Sequence, residues 1–183
     1  MQLFFNFRET ATRTQILDTL LDAMGSAQND RFTALMDNAV IPDHHCHNVV
    51  EVNETVDALD VPEKVKDSLH GVYGILAAAE AQVHGCEVSE THFHEVGNAS
   101  GIRNALAICA AFYVLDPSKV VATAVQPGQG EIECAHGTLS IPAPATAAIL
   151  STGIPLVEER LPGERCTPTS AALIKYFVNS FEG

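Results

Sequence analysis

Thr91-His92-Phe93-His94-Glu95-Val96-Gly97 places two imidazoles two residues apart, with a carboxylate beside the second. An extended backbone sends residues i and i+2 to one face. His92 and His94 then project together, and Phe93 and Glu95 project oppositely. Two imidazole nitrogens in that relation suit a divalent metal completed by ligands from elsewhere in the chain. The same window also reads as a strand end with two surface histidines and one buried phenylalanine.

Three further stretches carry comparable chemistry. Asp43-His44-His45-Cys46-His47, after Pro42, is a His/Cys-rich tract in a loop, where several side chains can converge on one ion. It equally reads as a solvated loop that binds metal only adventitiously. Cys134-Ala135-His136-Gly137 puts a thiol and an imidazole on one strand face. That is half a metal site or, less economically, a Cys–His nucleophile for a hydrolase. Cys166-Thr167-Pro168-Thr169 opens a helix with a good N-cap and proline at the first helical position. Free amides and two hydroxyls there suit an anion, although a cap needs no ligand.

The elements that must position these residues follow from periodicity. Leu3–Phe7 reads as a buried strand, Thr12–Met24 as a helix stopped by Gly25, and Asp30–Asn38 as a shorter amphipathic helix. A helix over Asn48–Leu59 precedes a long one from Pro62 to about Val83, with stripe Val65, Leu69, Val72, Leu76 and Ala79. Ala99–Leu115 is apolar nearly all round and should be buried between layers. Val120–Val125 is β-branched, scarcely alternates, and reads as a central strand. Glu131–Cys134 extends again; a helix should run from Pro144 to Ser151, a strand over Ile154–Glu158, and a last helix over Pro168–Phe181. This order argues an α/β class: a small mixed sheet packed with several helices in a single compact domain.

Bulk properties narrow the partners. Ten basic against 23 acidic residues give a net charge of −13, which repels phosphate backbones and anionic lipid; nucleic acid and membrane are poor partners. No apolar run approaches membrane-spanning length, and the first residues lack the features of a signal peptide. Five scattered cysteines without a Cys-x-x-Cys pair read as reduced thiols, so the expected location is the cytoplasm.

Taken in order, Val83-His84-Gly85, His92-Phe93-His94-Glu95-Val96-Gly97, Cys134-Ala135-His136-Gly137 with Ile141-Pro142-Ala143-Pro144-Ala145-Thr146, and Thr167-Pro168-Thr169-Ser170-Ala171-Ala172-Leu173 resemble the LarC-type nickel insertion protein family. The resemblance covers roughly residues 44–178, with 1–47 a divergent segment ending in the His-rich loop and 48–183 the motif-bearing core. It implies a CTP-dependent nickel chelatase of the cyclometallase (lyase) type, working with Mn²⁺ or Mg²⁺. Such an enzyme inserts nickel into a pyridinium mononucleotide bearing two thiocarboxylates, completing the nickel-pincer cofactor of lactate racemase. The implied metal ligands are His92, His94, His136, His44, His45 and His47. Glu95 would take the proton from the metallated ring carbon, and Thr167 and Thr169 would hold the nucleotide.

Departures from the family pattern set a second expectation. Two aspartates expected after the His-Phe-His-Glu-Val-Gly motif are replaced by Ser100 and Asn104, and Arg103 adds a positive charge. Loss of two anions beside a cation site predicts weaker divalent binding. Phe7–Thr14 lacks the family's glycines after the first strand, and the further ferredoxin-like domain tied to CTP binding and oligomerisation would lie on a separate chain or be dispensed with. The alternative function is therefore a non-catalytic metal- or nucleotide-binding relative, a chaperone or regulator; either form could be a homo-oligomer.

Overall fold

The computed structural model describes residues 1–43, 46–93, 98–134 and 137–182. Strand β1 (Gln2–Phe5) is followed by helices α1 (Arg13–Asp22), α2 (Ser26–Asn38), α3 (Val49–Asp57) and α4 (Glu63–His84), a 3-10 turn at Val88–Glu90, and α5 (Ala99–Leu115). Then come β2 (Lys119–Thr123), β3 (Gly128–Cys134), β4 (Gly137–Ile141), α6 (Pro144–Leu150), β5 (Gly163–Glu164), α7 (Pro168–Phe177) and β6 (Ser180–Glu182). The class is α/β as expected, with the strands divided between two three-stranded sheets. One is parallel in the order β1-β2-β6; the other is antiparallel in the order β4-β3-β5.

Helix α4 is the scaffold. Its expected stripe of Val65, Leu69, Val72, Leu76 and Ala79 is buried, along with Tyr73, and it packs against α3, α5, α6 and α7. Gly85 ends it in the left-handed conformation at φ +65°, which glycine adopts without a Cβ penalty. Helix α5 is buried on nearly every side from Gly101 to Leu115. Strand β2 is central as expected, and Val120 to Thr123 are all buried.

Two expected elements differ. The last helix ends at Phe177, because that ring stacks on Phe112 at 3.8 Å and the following residues are captured by β2. Asn179 N donates to Val120 O at 2.9 Å and Asn179 Oδ1 accepts from Val120 N at 2.7 Å, so residues 180–182 form β6. Tertiary pairing here overrides local helical pattern. The strand expected over Ile154–Glu158 is reduced to one bridge between Val125 and Leu156, flanked by bonds from Val125 N to Pro155 O (2.8 Å) and Val157 N to Val125 O (3.1 Å). Pro155 has no N–H with which to extend the ladder.

The segment leaving β1 is bolted to β2: Phe7 N donates to Thr123 Oγ1 at 2.9 Å in a buried bond. Thr123→Val keeps the shape and removes the acceptor, leaving a buried N–H unpaired. The expected cost is about 1–3 kcal/mol, read as a fall in thermal midpoint; an unchanged midpoint would show that the bond contributes nothing.

Candidate metal and nucleotide site

The two histidine segments meet. Phe93 N donates to His47 O at 2.6 Å, so the end of the His-rich loop touches the start of the His-x-His motif. Local burial explains the alignment. Thr91 and Phe93 are buried while His92 is exposed, the alternation expected of extended backbone. Phe93 seats its ring against Tyr73 of α4 at 5.9 Å. On the other segment Cys46 is fully buried, with its sulfur 3.3 Å from Thr55 Oγ1 of α3, and His47 beside it is exposed. His47 N donates to Glu51 Oε2 at 2.7 Å and Asn48 caps α3, which fixes the loop to the helix start. Buried Cys46 and Phe93 thus act as pegs, leaving His47 and His92 exposed on two segments joined by that bond.

His44, His45, His94, Glu95 and His136 lie outside the described residues, as does the shared face expected for Cys134 and His136. Among the described residues no group of three or more His, Cys, Asp or Glu side chains is placed to hold a metal. Of the six expected ligands, only His47 and His92 lie among the described residues.

The start of α5 accounts for part of the departure in sequence. Asn98 Oδ1 accepts from Gly101 N at 2.6 Å and from Ser100 Oγ at 3.1 Å, so Ser100 is engaged in a self-contained cap. Arg103 and Asn104 are exposed beyond it.

At α7 the cap is built as the sequence indicates. Thr167 Oγ1 accepts from Ser170 N at 3.3 Å and lies 3.0 Å from Ser170 Oγ; Thr169 is buried. Cys166 is buried, and its thiol is pushed up to about 12, first by burial and then by the charge of Glu164. Cys109 is also buried and shifted upward by burial alone. Neither is a ready thiolate for metal or substrate. No helix among the described residues is long and apolar enough to cross a membrane.

A third cluster escapes the motifs. Past the carboxyl ends of β1 and β2, Gln126 N donates to Phe7 O (2.9 Å) and Gln126 Nε2 to Glu159 O (2.9 Å). Ala11 N donates to Arg165 O (2.8 Å), tying the start of α1 to the start of α7. No sequence motif marks this platform, whose members come from three separated segments.

The family model described as nickel insertion protein matches residues 8–183. Proteins named pyridinium-3,5-bisthiocarboxylic acid mononucleotide nickel insertion protein are 37% identical over 139 residues in Geobacillus kaustophilus, 40% over 138 in Staphylococcus epidermidis and 33% over 138 in Desulfitobacterium hafniense. Each match covers 75% of this chain and 34% of the relative, so the chain spans about a third of the length of the curated relatives it matches. No solved structure matches. With the motifs in order and the match running over nearly its whole length, the chain belongs to the nickel insertion protein family.

Proposed function

We propose that this chain carries the nickel-handling part of a reaction that inserts nickel into a pyridinium bisthiocarboxylate mononucleotide. The observation that carries the reading is the bond from Phe93 N to His47 O, which joins the two histidine segments in a member of this family. Nickel is substrate here, so its ligands must hold it and release it; exposed imidazoles, borderline in softness and neutral when unprotonated, do both. His47 and His92 form the described part of the ligand set, with His44, His45, His94 and His136 completing it. Glu95 serves as the base at the ring carbon, and the α7 start with Thr167 and Thr169 faces the nucleotide. CTP with Mn²⁺ or Mg²⁺ is the co-reactant, and a C-terminal-domain chain or further copies of this chain are its partners.

The non-catalytic reading, a metal chaperone or regulator, is favoured by one observation. Ser100 closes onto Asn98, where the family pattern calls for a carboxylate. Isothermal titration with Ni²⁺ separates outcomes. His47→Ala/His92→Ala is expected to weaken nickel about a hundredfold, at the upper end of the roughly 10–100-fold typical of losing an outer-shell partner. Unchanged affinity and stoichiometry would remove both residues from the ligand set. Activation of apo-lactate racemase by the chain with CTP, Mn²⁺, Ni²⁺ and the thiocarboxylate nucleotide then distinguishes insertion from chaperoning.

A further inference from the structure

Arg160 has a buried guanidinium nitrogen, Nη1, with no hydrogen-bond partner among the described residues. It forms no ion pair among the described residues, although the chain has 23 acidic side chains. Glu9, Glu158 and Glu159, on the same segments, are exposed and leave it unpaired. Gln15 presents the complementary anomaly: Nε2 donates to Asn6 O at 2.7 Å, while Oε1 is buried without a donor. A buried charged donor lacking an acceptor is costly, and folded chains satisfy such groups.

The two orphans lie on segments that hydrogen bonds tie to the same sheet edge. Asn6 directly follows β1, and Glu159, next to Arg160, is held by Gln126 just past β2. β1 and β2 are hydrogen-bonded neighbours, and Gln126 N reaches Phe7 O, so both orphans flank the carboxyl edge of a parallel pair. Open parallel sheets receive ligands outside the carboxyl ends of their strands. Arg8, Arg13 and Arg165 lie on the same two segments, where with Arg160 they are matched by Glu9, Glu158, Glu159 and Glu164.

We propose that Arg160 and Gln15 anchor the ribose-phosphate end of a mononucleotide at the carboxyl edge of β1 and β2. The phosphate supplies the acceptor that Arg160 Nη1 lacks, and a ribose hydroxyl supplies the donor that Gln15 Oε1 lacks. Arginine suits this task because its fork matches phosphate oxygens. The inference rests on the mononucleotide reading above and adds to it a guanidinium anchor.

The test is calorimetric titration of the chain with nicotinic acid mononucleotide, a pyridinium ribose phosphate, and separately with ribose 5-phosphate and inorganic phosphate. Arg160→Met should weaken the mononucleotide roughly tenfold or more, the loss expected for one charge-assisted hydrogen bond. Arg160→Lys should recover part of it, and Gln15→Leu should weaken the two ribose compounds and leave inorganic phosphate unchanged. A purely structural arginine would make Arg160→Met lower the melting temperature of the unliganded chain. The anchor role instead predicts no fall, together with loss of the mononucleotide-induced rise. Equal mononucleotide affinity in wild type and Arg160→Met, or no binding to wild type, overturns the anchor. Nickel titration on the same proteins keeps the questions apart: retained nickel with no mononucleotide binding sinks the anchor alone, and absent nickel binding sinks the nickel-handling reading alone.

Discussion

Gly128→Ala is expected to lower the melting temperature by about 6–12 °C, from a loss of about 3 kcal/mol at roughly 2–4 °C per kcal/mol for a chain of this size. Gly128 opens β3 at φ +87°, where L side chains are strained, and a Cβ there would collide with the backbone oxygen of Gly163 and lie 3.0 Å from Arg165 N. Neither neighbour can rotate away, since both are main chain. Gly128 also pairs with Glu164 across β3 and β5, and its N–H donates to Gln126 Oε1 at 3.1 Å. The same substitution therefore pushes apart the segments that carry Gln126 and Arg165. Gly130→Ala is the control: its φ is +113°, but nothing stands within 4 Å of the added carbon, so it carries backbone strain alone, about 1–2 kcal/mol. Thermal unfolding followed by circular dichroism compares them. Equal midpoints for the two variants would mean that the approach of Gly163 to Gly128 is not a constraint on the fold.

This contrast shows where sequence reading succeeds and where it stops. Helices α4 and α5 are legible because burial repeats on their own period: Val65, Leu69, Val72 and Leu76 mark one face, and α5 has almost no polar face to leave outside. The caps at Thr167 and Gly85 are legible for the same reason, since their chemistry is local. The strand at 180–182 is not, because its partner β2 lies about 60 residues earlier and nothing in Ser180-Phe181-Glu182 announces it. The candidate site divides along the same line. His92 and His47 stand out by type and spacing, but their adjacency depends on Phe93 N meeting His47 O, a contact across 46 positions. Arg160 and Gln15 are ordinary in sequence; only burial without a partner distinguishes them. Their signal is energetic, one occluded polar atom on each side chain without a partner among the described residues, and it exists only once the chain is folded.

Raising the pH from about 8.5 to 10.5 is expected to remove about 5 kcal/mol of stability through Cys109 and Cys166 alone. Both thiols are buried; Cys166 is pushed up to about 12 by burial and then by Glu164, and Cys109 is shifted upward by burial. In the unfolded chain each loses its proton near the ordinary thiol value, about 8.5. Across this window the folded state therefore binds more protons than the unfolded state, and the slope of unfolding free energy with pH is negative. Stability is intact below about 8.5 and falls by roughly 1.4 kcal/mol per pH unit per thiol above it. Tyr73 is shifted upward too, by burial first and then by Cys109 and Cys46, and steepens the loss once the ordinary tyrosine range is reached. Melting temperature measured from pH 8 to 10.5 should fall steeply for the wild type and less than half as steeply for Cys109→Ala/Cys166→Ala, whatever offset the core truncations introduce. A flat wild-type profile, or equal slopes, would contradict protonated buried thiols. The same protonation bears on nickel. A thiol that keeps its proton throughout the physiological range offers the metal no thiolate, so Cys109 and Cys166 belong to the core, and on the proposed reading the ion falls to imidazoles such as the exposed His47 and His92.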